Sequence, residues 1–242
     1  MSQRPDFAAT QLSEAGLNRH AVFDLAALPD DIRSRLAPLA HETQLILLGH
    51  AGRRLWDCVR QAGMDSPDPI DDYSVALIRR HFAEQYPSSR YRILYPGEQP
   101  IGLQALGKLA GWHTPSPLMI GIDAQWGSWY AYRAVLLADT DFCPTQPRQT
   151  DSPCITCHAQ PCLAACPAGA LDTGEFALET CSRFRLQADS PCRLTCLARL
   201  ACPVGGEHRY ATDQLAHTYG RSLQMIEAWG QTADRASQAK LQ

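Results

Sequence analysis

The hydrophobic and polar positions change period repeatedly up to residue 139, and each stretch predicts its own element. From Pro29 to Leu39 the apolar residues Ile32, Leu36 and Leu39 share one helical face, and Pro29, Asp30 and Asp31 suit the positive end of a helix. QLILLGH, residues 44–50, centres on the apolar stretch Leu45 to Leu48 and reads as a buried strand. Arg53 to Ala62 returns to helical spacing, with Leu55, Cys58 and Val59 on one stripe and Gly63 as the stop, which makes Cys58 a packing residue. SPDPIDDY turns into another helix: Pro69 pre-sets the backbone, Asp71 and Asp72 favour the N-terminal end, and Val75, Ile78 and Phe82 carry it to about Gln85.

YRILYP is strand-like, Gly102 to Leu109 is helical, and LMIGID and WYAYRAVLLAD predict two further strands with Gly127 turning between them. Strands alternating with helices predict an α/β (α+β) body over residues 1–139. Residues 140–153, TDFCPTQPRQTDSP, carry three prolines and several turn formers and read as a linker. Ala211 to Ala228 is helical through Leu215, Tyr219, Leu223 and Ile226, a C-terminal helix within 208–230 that docks back on the body. Residues 231–242 read as a frayed tail.

Composition narrows the function classes. At 45% hydrophobic and 19% charged, the 242 residues have the makeup of an ordinary folded protein. A net charge of −3 without a clustered basic face argues against a nucleic-acid partner. No apolar stretch approaches the roughly 20 residues of a membrane helix. The start, MSQRPDFAATQLSEAGLNRH, lacks the apolar core of a secretory signal, so the expected location is the cytoplasm.

Eight of the ten cysteines fall between Cys154 and Cys202. In a reducing compartment such density points to a metal site before a disulfide framework. Cys154, Cys157, Cys162 and Cys166 are spaced CxxCxxxxCxxxCP, and in two-cluster ferredoxins the cysteine before proline ligates the other cluster. Cys181, Cys192, Cys196 and Cys202 supply a second half, whose last member again precedes a proline. The usual crossing assigns Cys154, Cys157, Cys162 and Cys202 to one [4Fe-4S] cluster and Cys166, Cys181, Cys192 and Cys196 to a second, in a ferredoxin-like module over 154–207. The second half departs from the pattern, with three residues between Cys192 and Cys196 and five between Cys196 and Cys202. A pair of zinc knuckles is the alternative, but these normally show two compact CxxC pairs and no CxxxCP ending.

GWHTPSPLMIGIDAQWGSWYAYRAVLLADT resembles a stretch of the epoxyqueuosine reductases through Gly111, Trp112, Gly127, Ser128 and Trp129. DPIDDYSVALIRRHFAE, GSWYAYRAVLLAD and RYATDQLAHTYGRSL are similar to segments of the CblC-type cobalamin-processing proteins, which lack the clusters. The resemblance implies a nitroreductase-like body holding cobalamin, with Gly111, Trp112, Gly127, Ser128 and Trp129 at the corrinoid. A corrinoid needs a wide apolar cavity, for which Trp112, Trp126, Trp129, Tyr130 and Tyr132 would supply walls, although aromatics alternating along a strand are equally what a core requires. The epoxyqueuosine reductases use an aspartate upstream of the Gly-Trp pair as proton donor. Here YPGEQP stands in that place, with Glu98 as the nearby acid and the candidate catalytic residue. His113 and His158 are not assigned as ligands.

Three functions fit this pattern. In the first, an oxidoreductase passes electrons from its clusters to a corrinoid in the body, for cobalamin processing or a cobalamin-dependent reduction, and takes them from an electron donor protein. In the second, the chain is a ferredoxin-like electron-transfer protein without corrinoid, its aromatic group buried in the core. In the third it is a cobalamin trafficking chaperone whose clusters are structural.

Overall fold

The computed structural model describes residues 4–148 and 150–239. Four antiparallel strands form one sheet in the order β1-β2-β4-β3, where β1 is Arg19–Asp24, β2 Gln44–Ala51, β3 Tyr91–Tyr95 and β4 Tyr130–Ala138. The apolar run of β2 becomes a central strand with all its residues buried. A strand covered on both faces needs no alternation, which is why its sequence shows none.

Odd and even positions of β2 and β4 feed two separate cores. Ile46, Leu48, Ala134 and Leu136 pack against α1 (Thr10–Glu14), α3 (Arg54–Gln61) and α4 (Pro69–Gln85) through Leu12, Leu55, Val59, Ile78 and Phe82. Leu45, Leu47, Val135 and Leu137 pack on the opposite face against Leu36 of α2 (Asp30–Leu36), Leu106 of α5 (Leu103–Leu109) and Trp112. The body is thus a sheet between two helical layers, the mixed α/β class expected.

Three differences from the sequence reading have physical causes. LMIGID forms no strand: only isolated bridges, Thr114 with Ile122 and Asp123 with Gly127, hold the segment. Pro115 and Pro117 lack the N–H groups that a ladder needs, and Met119 is left-handed at φ 55°. The helix expected to end at Ala228 continues to Ala239, so residues 231–239 are helical where a tail was expected, and residues 240–242 lie outside the described residues. Edge strand β1 was not read at all, because only Ala21 and Val22 of its six residues are buried.

Beyond the body come α6 (Pro161–Ala164), α7 (Leu178–Leu186), α8 (Leu197–Ala201) and α9 (Thr212–Ala239). Helix α9 is fastened to the body by Asp213, which accepts from Trp56 Nε1 at 3.0 Å and pairs with Arg60 at 2.8 Å, and by Arg221 on Asp68 at 2.6 Å. Among the described residues no helix is long and apolar enough to cross a membrane.

Candidate metal centre

The eight clustered cysteines are free thiols that fall into two groups of four. Cys154, Cys157, Cys162 and Cys202 sit close enough to influence one another, and so do Cys166, Cys181, Cys192 and Cys196. Short helices produce this sorting. Cys196 caps the N-terminus of α8 and Cys202 its C-terminus, so the five intervening residues carry the two thiols to opposite ends of the helix and into different groups. Helix α6 does the same on the other side, with Cys162 inside it and Cys166 just past its end. Cys162, Leu171 and Ala198 form an apolar cluster with Leu163 and Phe176, against which Cys166 and Cys196 of the second group also pack.

The five-residue gap of the second half is therefore the length of α8. A shared local device opens both halves: Ser152-Pro153-Cys154 and Ser190-Pro191-Cys192 each bend so that the serine Oγ accepts from the cysteine N–H, at 3.3 and 3.2 Å. This repeated Ser-Pro-Cys was the sequence signal that pairs Cys192 with Cys154, and the reading of the gaps alone passed over it.

Burial pushes the thiols of Cys154, Cys162, Cys181 and Cys196 up, and their sulfur neighbours add to the rise. As thiolates they would repel, so each group calls for a positive centre of sulfur-loving character. Among the described residues no three His, Cys, Asp or Glu side chains converge tightly enough for a single metal ion. A four-iron cluster spreads its cysteine sulfurs wider than one ion does, and four thiols per group are its full ligand set. The second group also opens on a cavity of about 510 Å³, walled otherwise by Leu171, Phe176, Leu178 and Ile226. The donor chemistry and this cradle fit iron–sulfur clusters.

The five residues taken for a corrinoid are divided between two places. Gly111 and Trp112 line a groove of about 260 Å³ with Arg19, Asp123, Trp126 and Arg148. Gly127, Ser128 and Trp129 instead form the seam beneath the cysteine segment: Trp129 is wholly buried, and Ser128 Oγ accepts from Arg199 Nε at 3.2 Å. Arg199 lies over the Trp129 ring at 4.4 Å and over Tyr210 at 5.0 Å. Trp112 stacks near Tyr132, and Trp126 tilts over His208. The groove is smaller than the roughly 300–1,000 Å³ of drug-sized ligand pockets, and a corrinoid exceeds those ligands. As placed, these side chains do not fit the macrocycle. Glu98 is exposed on the bend after β3, and His158 is exposed beside Cys157. His113 is buried, with Nδ1 3.4 Å from the Tyr132 hydroxyl.

His50 on β2 completes the seam. It stacks on Tyr210, and its Nδ1 accepts from Arg133 Nε at 3.0 Å. Burial, then the charges of Arg133 and Arg199, holds its pKa well below the ordinary histidine value. The folded site refuses a proton that the unfolded chain takes up below pH about 6.5, so this contribution is whole above that pH and is lost as pH falls. His50→Gln is expected to flatten the acid-side decline in unfolding free energy by up to about 1.4 kcal/mol per pH unit between pH about 6.5 and 5. Urea titrations across that range measure it, and an unchanged slope would refute the assignment.

No family model matches the chain, and no curated protein matches it in sequence. Solved structures do match in fold. An epoxyqueuosine reductase in a complex with a tRNA-Tyr epoxyqueuosine-modified stem loop superposes with a TM-score of 0.51 at 14% identity, over 85% of this chain and 66% of that one. A catabolic reductive dehalogenase in complex with 3-bromo-4-hydroxybenzoic acid gives 0.50 at 13% identity, over 88% and 33%. The C. elegans B12-trafficking protein CblC gives 0.48 at 16% identity, over 86% and 87%. The chain spans about two thirds of the length of the epoxyqueuosine reductase and a third of that of the dehalogenase.

Proposed function

We propose that the chain is an iron–sulfur redox protein, with Cys154, Cys157, Cys162 and Cys202 holding one four-iron cluster and Cys166, Cys181, Cys192 and Cys196 a second. The observation that carries this is the sorting of eight free thiols into two sets of four across the ends of α6 and α8. The clusters supply one-electron storage when bound. The chain's own part is to anchor them through thiolates, to aim backbone N–H groups at sulfur, as Arg199 N does at Cys196 Sγ at 3.5 Å, and to pack apolar side chains against Cys162, Cys166 and Cys196. A one-electron donor protein is the partner this implies. Anaerobic reconstitution should load about eight iron and eight sulfide per chain, the content of two four-iron clusters. A loading of one or two zinc ions with no sulfide would refute the proposal.

The resemblance of Gly111, Trp112, Gly127, Ser128 and Trp129 to the epoxyqueuosine reductases, whose fold the body shares, favours a second reading, in which a corrinoid is the electron acceptor. It requires the groove at Gly111 and Trp112 to widen. Titrating cobalamin into the reconstituted protein and following its visible spectrum tests it: a shift toward the base-off form supports it, and an unaltered spectrum at saturation removes it. The tRNA stem loop held by the epoxyqueuosine reductase also means that a net charge of −3 does not by itself exclude an RNA partner on this fold.

A further inference from the structure

The two cysteine groups differ in the charges built around them. Two guanidiniums lie beside the second group, each buried to more than nine-tenths: Arg185 is 7% exposed and Arg199 8%. Both line the cavity onto which Cys166, Cys181, Cys192 and Cys196 open. Arg185 is held entirely by neutral acceptors, donating to the carbonyls of Cys192 at 3.2 Å, Arg193 at 3.3 Å and Tyr219 at 2.8 Å and to Ser222 Oγ at 3.0 Å. Arg199 donates to the carbonyl and hydroxyl of Ser128 and lies between the rings of Trp129 and Tyr210. Two acids of the same stretch are engaged elsewhere, Glu179 with Arg183 and Glu227 with Arg193. Among the described residues neither guanidinium has a carboxylate partner.

A guanidinium is charged at any ordinary pH, and burying one without a counter-ion is costly. The cost is offset where an anion forms nearby. Arg185 and Arg199 line the space onto which the four thiols open, and the Arg199 backbone N–H also donates to Cys196 Sγ at 3.5 Å. The first group has one arginine bonded to it, the half-buried Arg209, which donates to the Cys202 carbonyl at 3.5 Å and whose buried Nε has no partner among the described residues.

We propose that Arg185 and Arg199 make the second cysteine group the electron sink of the pair, holding its cluster at a higher reduction potential than the cluster of the first group. The inference rests on the two-cluster reading above. One electron from an external one-electron donor reduces the first cluster. It then passes to the second, which leaves the first oxidised and the second reduced, and no proton moves. Burial alone would make the second cluster harder to reduce, because the added charge loses its water; two fixed positive charges reverse that order.

Potentiometric titration followed by electron paramagnetic resonance tests this on the reconstituted full chain. Two midpoints are expected, and Arg199→Gln and Arg185→Gln should each lower the higher one. The expected loss is at least tenfold in the reduced-to-oxidised ratio at fixed potential, which is 59 mV for a one-electron couple, while Arg199→Lys restores most of it. A Cys202→Ser chain keeps the second cluster and does not disturb either arginine, so its midpoint should coincide with the higher of the two. Coincident midpoints in the unsubstituted protein, a Cys202→Ser midpoint at the lower value, or glutamine variants that keep their iron and shift neither midpoint would overturn the proposal. Absence of iron from the unsubstituted protein would instead overturn the two-cluster reading on which it rests.

Discussion

Replacing Cys202 with serine is expected to halve the iron of the reconstituted protein, from about eight to about four per chain, and to spare the cluster formed by its nearer neighbours in sequence. Cys202 follows Cys196 by six residues and Cys154 by forty-eight, so a chain that grouped its ligands by proximity would lose the other cluster. Helix α8 stands between Cys196 and Cys202 and turns the latter toward Cys154 and Cys162. Cys166→Ser is the reciprocal case and should spare the first cluster. Iron and sulfide assays with electron paramagnetic resonance distinguish the two survivors, because only the second has Arg185 and Arg199 beside it. If Cys202→Ser and Cys196→Ser remove the same signal, the crossed arrangement is wrong.

Gly127→Ala should cost roughly 2–5 kcal/mol of stability, a large share of what a domain of this kind possesses. Two terms contribute. Gly127 has φ 59°, a left-handed conformation that costs about 1–2 kcal/mol for a residue with a side chain. A Cβ there would also lie 2.1 Å from the carbonyl oxygen of Val204, so backbone would have to move away from backbone, an overpacking worth about 1–3 kcal/mol. Gly63→Ala separates the terms, since Gly63 has φ 60° with nothing within 4 Å of its Cβ position and should lose only the first. Equal losses in urea or thermal unfolding would mean that the approach of residue 127 to residue 204 carries no energy. The same contact joins the β4 entry to the segment after Cys202, so Gly127→Ala is also expected to loosen the first cluster and slow its reconstitution.

What proved legible in the amino-acid order was whatever short-range geometry settles. The run 44–50 reads as a doubly covered strand, because an apolar stretch without alternation suits the middle of a sheet and this one is too short for an ordinary buried helix. Pro69 with Asp71 and Asp72 had to begin a helix, and does. The cysteine-before-proline endings resemble a two-cluster ferredoxin, and the usual crossing of that motif is what suggests the two sets of four. The Ser-Pro-Cys repeat was present in the same text and needed only to be compared with itself.

Three-dimensional packing alone decided the rest. Trp129 and Ser128 carry the same letters whether they wall a cavity or close a seam, and Arg199, seventy-one residues further on, chose the seam by filling the space above them. Nothing in their own helices marks Arg185 or Arg199 as buried cations, since their acceptors are carbonyls, serine hydroxyls and rings supplied by α9, the residues just before β4, the segment between α7 and α8 and the residues after α8. LMIGID has the composition of a strand, yet it has no ladder to join, and Met119 and Ile120 stay exposed at the mouth of the cavity instead. Ligand spacing is a property of neighbours along the chain. The electrostatic surroundings of those ligands are a property of neighbours in space, and only the folded molecule specifies them.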